Sequence, residues 1–276
     1  VFDEEKFKFI SLINQFRNYP FKKYLDEKNI GIYCPWGDQG LGIQCREYYE
    51  LLKKMGYNVS VLSFRPYHAN QKNTKLQTDS NEWLYENIYY SENFRELVTN
   101  DEFIDYVYLY KIKKMIIVET CFNKVFEFAN ICRLLAIKVY AVPNLETIRY
   151  SELHKHKIFN KILCNNQMTY ELMNSYFPHK TEFLGFRILN KNFDNVKKWT
   201  NSHYSFFCIG GLNALTRKNI TKILSAFKEI ELEKKLKNFK LYVHIQGVEI
   251  PENINKYGSN SILIKVNSLT YAQIAE

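Results

Sequence analysis

The feature that most constrains this chain is an alternation of short apolar runs with helical patterns. Asn29–Cys34 is one such run, and Pro35-Trp36-Gly37-Asp38-Gln39-Gly40-Leu41-Gly42 follows it as a loop. Residues 43–55 then carry helical periodicity, Gly56 is a natural stop, and residues 59–64 form a second apolar run. Strand, glycine-containing loop, helix and strand make a βαβ unit. Such a unit predicts a parallel sheet, with the loop at the carboxyl ends of the strands, where open α/β sheets bind their ligands.

The alternation continues. Helices are predicted over residues 102–114, 122–135, 148–159 and 168–176, with Pro178 ending the last. Strands are predicted over 115–119, 138–142 (ended by Pro143), 162–164 and 182–184. Residues 66–100 are polar and aromatic, without regular pattern. Residues 4–27 are helical in spacing (Phe7, Ile10, Leu12, Ile13, Phe16), with Pro20 interrupting. A second unit opens near residue 204 with strand 204–209, helix 219–236 and strands 239–245 and 262–266. Ser268 then caps a helix from Thr270. The expected division is an N-terminal extension (1–28), a Rossmann-like domain (29–189), a linker (190–203) and the first part of a second domain (204–276). Half a sheet has an open edge, so this second domain is expected to be incomplete in the chain.

Composition narrows the class. The net charge of +9 favours anionic partners, but Lys is spread along the chain and alternates with acids, as in residues 229–235. No basic patch interleaved with aromatics supports nucleic-acid binding. The six Cys form no C-x-x-C pair and have no His at zinc-finger spacing, which predicts a reducing, cytoplasmic setting and no metal site. No apolar run reaches the ~20 residues of a membrane span. No D-x-D pair, phosphate-binding G-x-x-x-x-G-K-[ST] loop or G-x-S-x-G elbow is present.

Three segments carry candidate chemistry. In the first, Gly40 and Gly42 lie in the loop before a helix, where backbone can approach a phosphate or sugar; an ordinary tight turn has the same pattern. In the second, Gly210-Gly211 ends a strand and leads to Arg217-Lys218 at a helix start. Arg217 can fork onto two phosphate oxygens and Lys218 adds a point charge. The alternative is a surface loop with two solvated cations. In the third, Pro143-Asn144-Leu145-Glu146 places the acid Glu146 at a strand's carboxyl end, facing a ligand crevice or merely opening a helix capped by Asn144. His154 and His156, two apart, point to different sides of the predicted helix and are expected to be surface residues.

The segment 210–227 resembles the start of the second domain in GT4-type retaining glycosyltransferases of the GT-B fold. There a strand leads into a Gly–Arg–Leu-like turn, and a Lys precedes a helix carrying an Ala-Phe pair; Lys218 and Ala226-Phe227 stand at matching places. Gly211 stands where that family usually has its Arg, and Arg217 is the candidate to replace it. The glycines Gly40 and Gly42, the helix exit of residues 47–61 (Leu51, Leu52, Gly56, Tyr57, Val59) and residues 161–185 resemble the family's first domain, so the likeness covers residues 29–276. Amino-acid usage resembles that of glycosyltransferases of large DNA viruses.

The resemblance implies two Rossmann-like parallel-sheet domains facing a cleft. It implies retaining, metal-independent transfer of a hexosyl group from a nucleotide sugar, which is substrate rather than cofactor, to a glycan, lipid or protein. In that family the Arg and Lys hold the donor diphosphate, and a Glu pair further along, beyond the segment present here, binds the donor's sugar and ribose. Some relatives also touch membranes peripherally. The resemblance names no catalytic residue in this chain. The alternative is a non-catalytic GT-B-like scaffold, with the aromatic stretch 83–94 as its contact surface.

Overall fold

The computed structural model describes residues 26–37, 40–64, 83–91, 98–120, 122–186, 202–210, 218–245 and 252–266. The predicted helices at 4–27 and from Thr270, and the linker 190–203 save for its last two residues, lie outside them. The chain divides into two compact units, Val1–Ile188 and Leu189–Glu276.

The first unit is built on seven strands: β1 (Asn29–Cys34), β2 (Asn58–Ser63), β3 (Ile88–Tyr90), β4 (Lys114–Val118), β5 (Lys138–Val142), β6 (Lys161–Cys164) and β7 (Thr181–Phe183). All pair in parallel, in the order β3-β2-β1-β4-β5-β6-β7. The order reverses at β1 and β4, which are neighbours in space but not in sequence. Right-handed crossovers then put the helices of the two halves on opposite faces. Helix α1 (Gly40–Lys54) covers one face, with Cys45, Tyr48 and Tyr49 against Ile32, Val61 and Val118. Helices α2 (Asn100–Leu109) and α3 (Asn123–Leu134) cover the other, with Phe103, Val107 and Phe128 against Tyr33, Leu62 and Ile117. Burial on both faces is why the central strands read as unbroken apolar runs.

Several boundaries differ from the sequence expectation. Helix α1 begins at Gly40, so both candidate glycines lie in its first turn rather than in the loop. Helix α2 starts earlier, at a capping box in which the Thr99 amide donates to Glu102 Oε2 (2.8 Å) and the Glu102 amide to Thr99 Oγ1 (3.2 Å). It also ends earlier, because Lys111 takes a left-handed φ of 51° and turns the chain into β4. Strand β3 falls in the stretch read as patternless; three residues paired on β2 are too short to show a period. Trp83, read as part of a contact surface, is buried against Trp36. The predicted helix over 148–159 is a 3₁₀ helix, Tyr150–Ile158, in which Leu153 and His156, followed by Phe159, are buried three apart. Three residues per turn stacks those side chains on one line. Helix α4 (Gln167–Tyr176) opens at Asn166, whose side chain accepts from the Thr169 amide at 2.9 Å.

The second unit has strands β8 (Tyr204–Gly210), β9 (Phe239–Ile245) and β10 (Ile262–Val266), parallel in the order β10-β9-β8. Helix α5 (Ile220–Leu232) packs Ile220 and Leu224 on Leu241 and Val243, and a four-residue helix, α6 (Glu252–Asn255), adds Ile254. Phe227 joins Phe206 and Phe239, with ring centres 5.0 and 5.7 Å away. Among the described residues the cysteines are free and mostly buried. No helix among them is long and apolar enough to cross a membrane.

Candidate functional site

In the first unit the carboxyl ends of β1, β4, β5 and β6 lie side by side and each runs into a polar turn. After β1, Trp36 anchors the chain: its amide donates to Ser63 Oγ (2.9 Å) and its indole N–H to the Trp83 carbonyl (3.3 Å). Its ring meets Trp83 and Tyr85 edge to face, at 5.5 and 5.3 Å, and the Arg46 guanidinium lies 4.5 Å over Trp83. Such aromatic and cation–π contacts hold the turn rigidly. Gly37 follows, and a Cβ on Gly42 would sit 1.9 Å from the Gly37 carbonyl oxygen. Gly42 is therefore required by close approach of turn to helix. Gly40 is not, since a Cβ there would meet nothing within 4 Å. The first turn of α1, among the described residues, carries no acidic residue, and the positive end of a helix dipole favours an anion.

After β4, Glu119 holds a left-handed φ of 61° while its amide donates to the Val142 carbonyl at 3.0 Å. A non-glycine residue in that conformation stores strain, a common property of functional turns. The Glu119 carboxyl is pushed above its usual range, first by burial and then by the charge of Glu146. Glu146, the acid singled out after β5, is thus electrostatically coupled to a second acid on the neighbouring strand; it is itself exposed.

Thr120 and His156 lock this turn from behind. Thr120 Oγ1 lies 2.8 Å from His156 Nε2, and His156 Nδ1 lies 3.3 Å from the Leu153 carbonyl. A carbonyl can only accept, so the proton belongs on Nδ1 and Nε2 accepts from the threonine hydroxyl. Burial pushes the imidazole down to about 4, so it is neutral at pH 7. The expectation of a surface His156 is wrong: it is 1% exposed, while His154 is exposed. Asn144 also departs from expectation. Its side chain does not cap the following turn but accepts from Asn165 Nδ2 at 3.0 Å, joining the ends of β5 and β6. Asn166 extends the row by donating to Asn165 Oδ1 at 3.0 Å. The sequence reading singles out none of Glu119, Thr120 and Asn165, and it names His156 only as a surface residue. Glu119 and Asn165 are each the first polar residue after an apolar run, which is the signal that could have found them.

In the second unit Gly210 is buried at the carboxyl end of β8, paired in register with Ile245. Lys218 is exposed just before α5, and Asn219 between them has a left-handed φ of 54° and makes no side-chain cap. The first turn of α5 carries no acid. A helix start with neither side-chain cap nor acid, next to a lysine, is suited to an anion. Gly211 and Arg217 lie outside the described residues. Among the described residues no group of three or more His, Cys, Asp or Glu is arranged to hold a metal ion.

No protein-family model matches the chain, and no curated protein does. Solved structures do. A glycosyltransferase from Rickettsia africae ESF-5 superposes with a TM-score of 0.63 at 10% identity, over 90% of this chain and 69% of that one. MurG of Acinetobacter baumannii gives 0.50 at 14% identity, over 86% and 65%. The Methanocaldococcus jannaschii UDP-GlcNAc 2-epimerase, in complex with UDP-GlcNAc and UDP, gives 0.50 at 13%, over 88% and 75%. The chain thus spans 65% to 75% of the lengths of these three proteins. Two parallel sheets, the order reversal at β1 and β4, and these likenesses together show the α/β architecture of the GT-B fold, with its Rossmann-like units.

Proposed function

We propose that the chain is part of a glycosyltransferase that moves a hexosyl group from a nucleotide sugar to an acceptor, of the GT4 type, retaining and metal-independent. The observation that carries this is the start of α5. Gly210 ends a strand and, eight residues further along the chain, an exposed Lys218 precedes a helix with no acid in its first turn. A diphosphate leaving group gains charge as the glycosidic bond breaks, and a positioned cation with helix amides stabilises it without reorganisation. Arg217 adds a second cation next in sequence. The epimerase complexed with UDP-GlcNAc and UDP, and the Rickettsia africae glycosyltransferase, are built on the same fold, in keeping with a nucleotide-sugar donor. Glu119 and Glu146, with the Gly37–Gly42 turn, are assigned to the acceptor side: a carboxylate at a strand's carboxyl end orients a hydroxyl by accepting its proton in a hydrogen bond.

Isothermal titration with nucleoside diphosphates and with inorganic phosphate tests the donor assignment. The diphosphate binds, inorganic phosphate does not at the same concentration, and Lys218→Ala weakens binding by about 1.5–3 kcal/mol, the scale of a charged hydrogen bond. Equal affinity in the folded variant would remove the donor site from Lys218. A non-catalytic scaffold is the second reading. It is favoured by Gly211 in place of the related enzymes' Arg and by the apolar side chains that β8 exposes, Phe207 at 56% and Ile209 at 43%. A scaffold would not distinguish nucleoside diphosphate from phosphate.

A further inference from the structure

At the amino ends of β9 and β10, the end of the second sheet opposite Gly210, lies an open groove of about 420 Å³. Three lysines line it: Lys234 and Lys237 from the α5–β9 connection and Lys240 from β9. Its one acid, Glu231, is already engaged. Its carboxylate accepts from Lys228 Nζ at 2.8 Å and from Ser259 Oγ at 2.6 Å, and the lysine bond holds it below the usual carboxylate range. The neighbouring Lys235 pairs with Glu233. Among the described residues no carboxylate comes within bridging distance of Lys234, Lys237 or Lys240. The negative end of the α5 dipole accounts for a cation at Lys234, in the first residues past the helix. It does not account for Lys237 or for Lys240, which is half-buried on the sheet. Like charges around one groove repel, and a bound anion relieves that repulsion.

We propose that this groove is an anion site separate from the donor segment, taking a phosphate ester, either soluble or in a phospholipid headgroup. An exposed apolar side chain inserts at the acyl boundary below a lipid headgroup, and Leu232, 72% exposed at the end of α5, follows the groove-lining Glu231 in sequence.

The test uses the full chain and two probes: inorganic phosphate by isothermal titration, and phosphatidylglycerol-containing against pure phosphatidylcholine vesicles by co-sedimentation. Two triple variants with the same loss of charge are compared, Lys234→Ser/Lys237→Ser/Lys240→Ser and, on the first unit, Lys53→Ser/Lys54→Ser/Lys138→Ser. The expected result is binding of at least one probe by the wild type and by the first-unit variant, with loss of roughly tenfold or more in the groove variant. Binding of phosphate identifies a soluble ester as the ligand class; binding of the acidic vesicles alone identifies a headgroup. Failure of both probes, or equal loss in the two variants, would overturn the proposal. If the groove triple variant melts early, Lys237→Glu, a single change at an exposed turn residue, carries the same comparison. Nucleoside diphosphate affinity is measured on the same samples and is expected to be unchanged, so the groove and the donor site stand or fall separately.

Discussion

His156 illustrates how one residue can govern a turn it does not belong to. It comes from the 3₁₀ helix, yet its Nε2 holds Thr120, one residue past Glu119. Its folded pKa of about 4 lies below the unfolded value of 6.5, so the unfolded chain binds the extra proton first as pH falls. Stability is therefore complete above about pH 6.5 and declines towards pH 4, by about 3 kcal/mol in total. His156→Gln, which cannot titrate, should flatten that part of the pH–stability curve in urea unfolding. An unchanged slope would show that other groups carry it. The two candidate glycines separate just as cleanly. Gly42→Ala forces a Cβ into the Gly37 carbonyl and should cost about 1–3 kcal/mol. Gly40→Ala meets open space in a helix turn and should be neutral or stabilising by about 0.5–1 kcal/mol. Equal effects of the two changes in chemical denaturation would contradict the packing described for the turn.

At the scale of elements, strands β1, β5 and β9 are legible to the residue: β1 and β5 because strands buried on both faces read as near-continuous apolar runs, and β9 because Phe239, Leu241, Val243 and Ile245 alternate with Lys240, Tyr242 and His244. β3 was not legible. Its three residues are held by pairing with β2 and by Ser91, which follows it: the Ser91 amide donates to the Ser63 carbonyl at 2.9 Å and its hydroxyl to Glu102 Oε1 at 2.8 Å. Glu102 also completes the capping box of α2, so one carboxylate ties a helix start to a sheet edge. Thr99→Ala should cost about 1 kcal/mol, the ordinary loss of a helix cap, measured as a lowered urea midpoint with unchanged slope. The 3₁₀ helix was misread as α because its apolar spacing fits either. The burial of Leu153, His156 and Phe159 at intervals of three, with His156 on Phe126 of α3 and on Thr120 past the end of β4, decides it.

For the whole molecule, local pattern was enough to determine the class. Apolar runs alternating with helical periods must form parallel strands with crossovers, and the glycine-bearing turns must then lie at the strands' carboxyl ends. The segment of Gly210 and Lys218 could be singled out for the same reason, because strand, turn and helix start are contiguous in the chain. What only the tertiary structure decided is which turns become neighbours. The order β3-β2-β1-β4-β5-β6-β7 brings the ends of β1 and β4 together and sets Glu119 beside Glu146. It also joins Asn144 to Asn165 and buries a histidine that local pattern assigned to solvent. Periodicity records the environment of a segment, and so it can be read from the chain. Adjacency of distant turns arises from strand pairing across long separations in sequence, which leaves no local trace in the residues it joins.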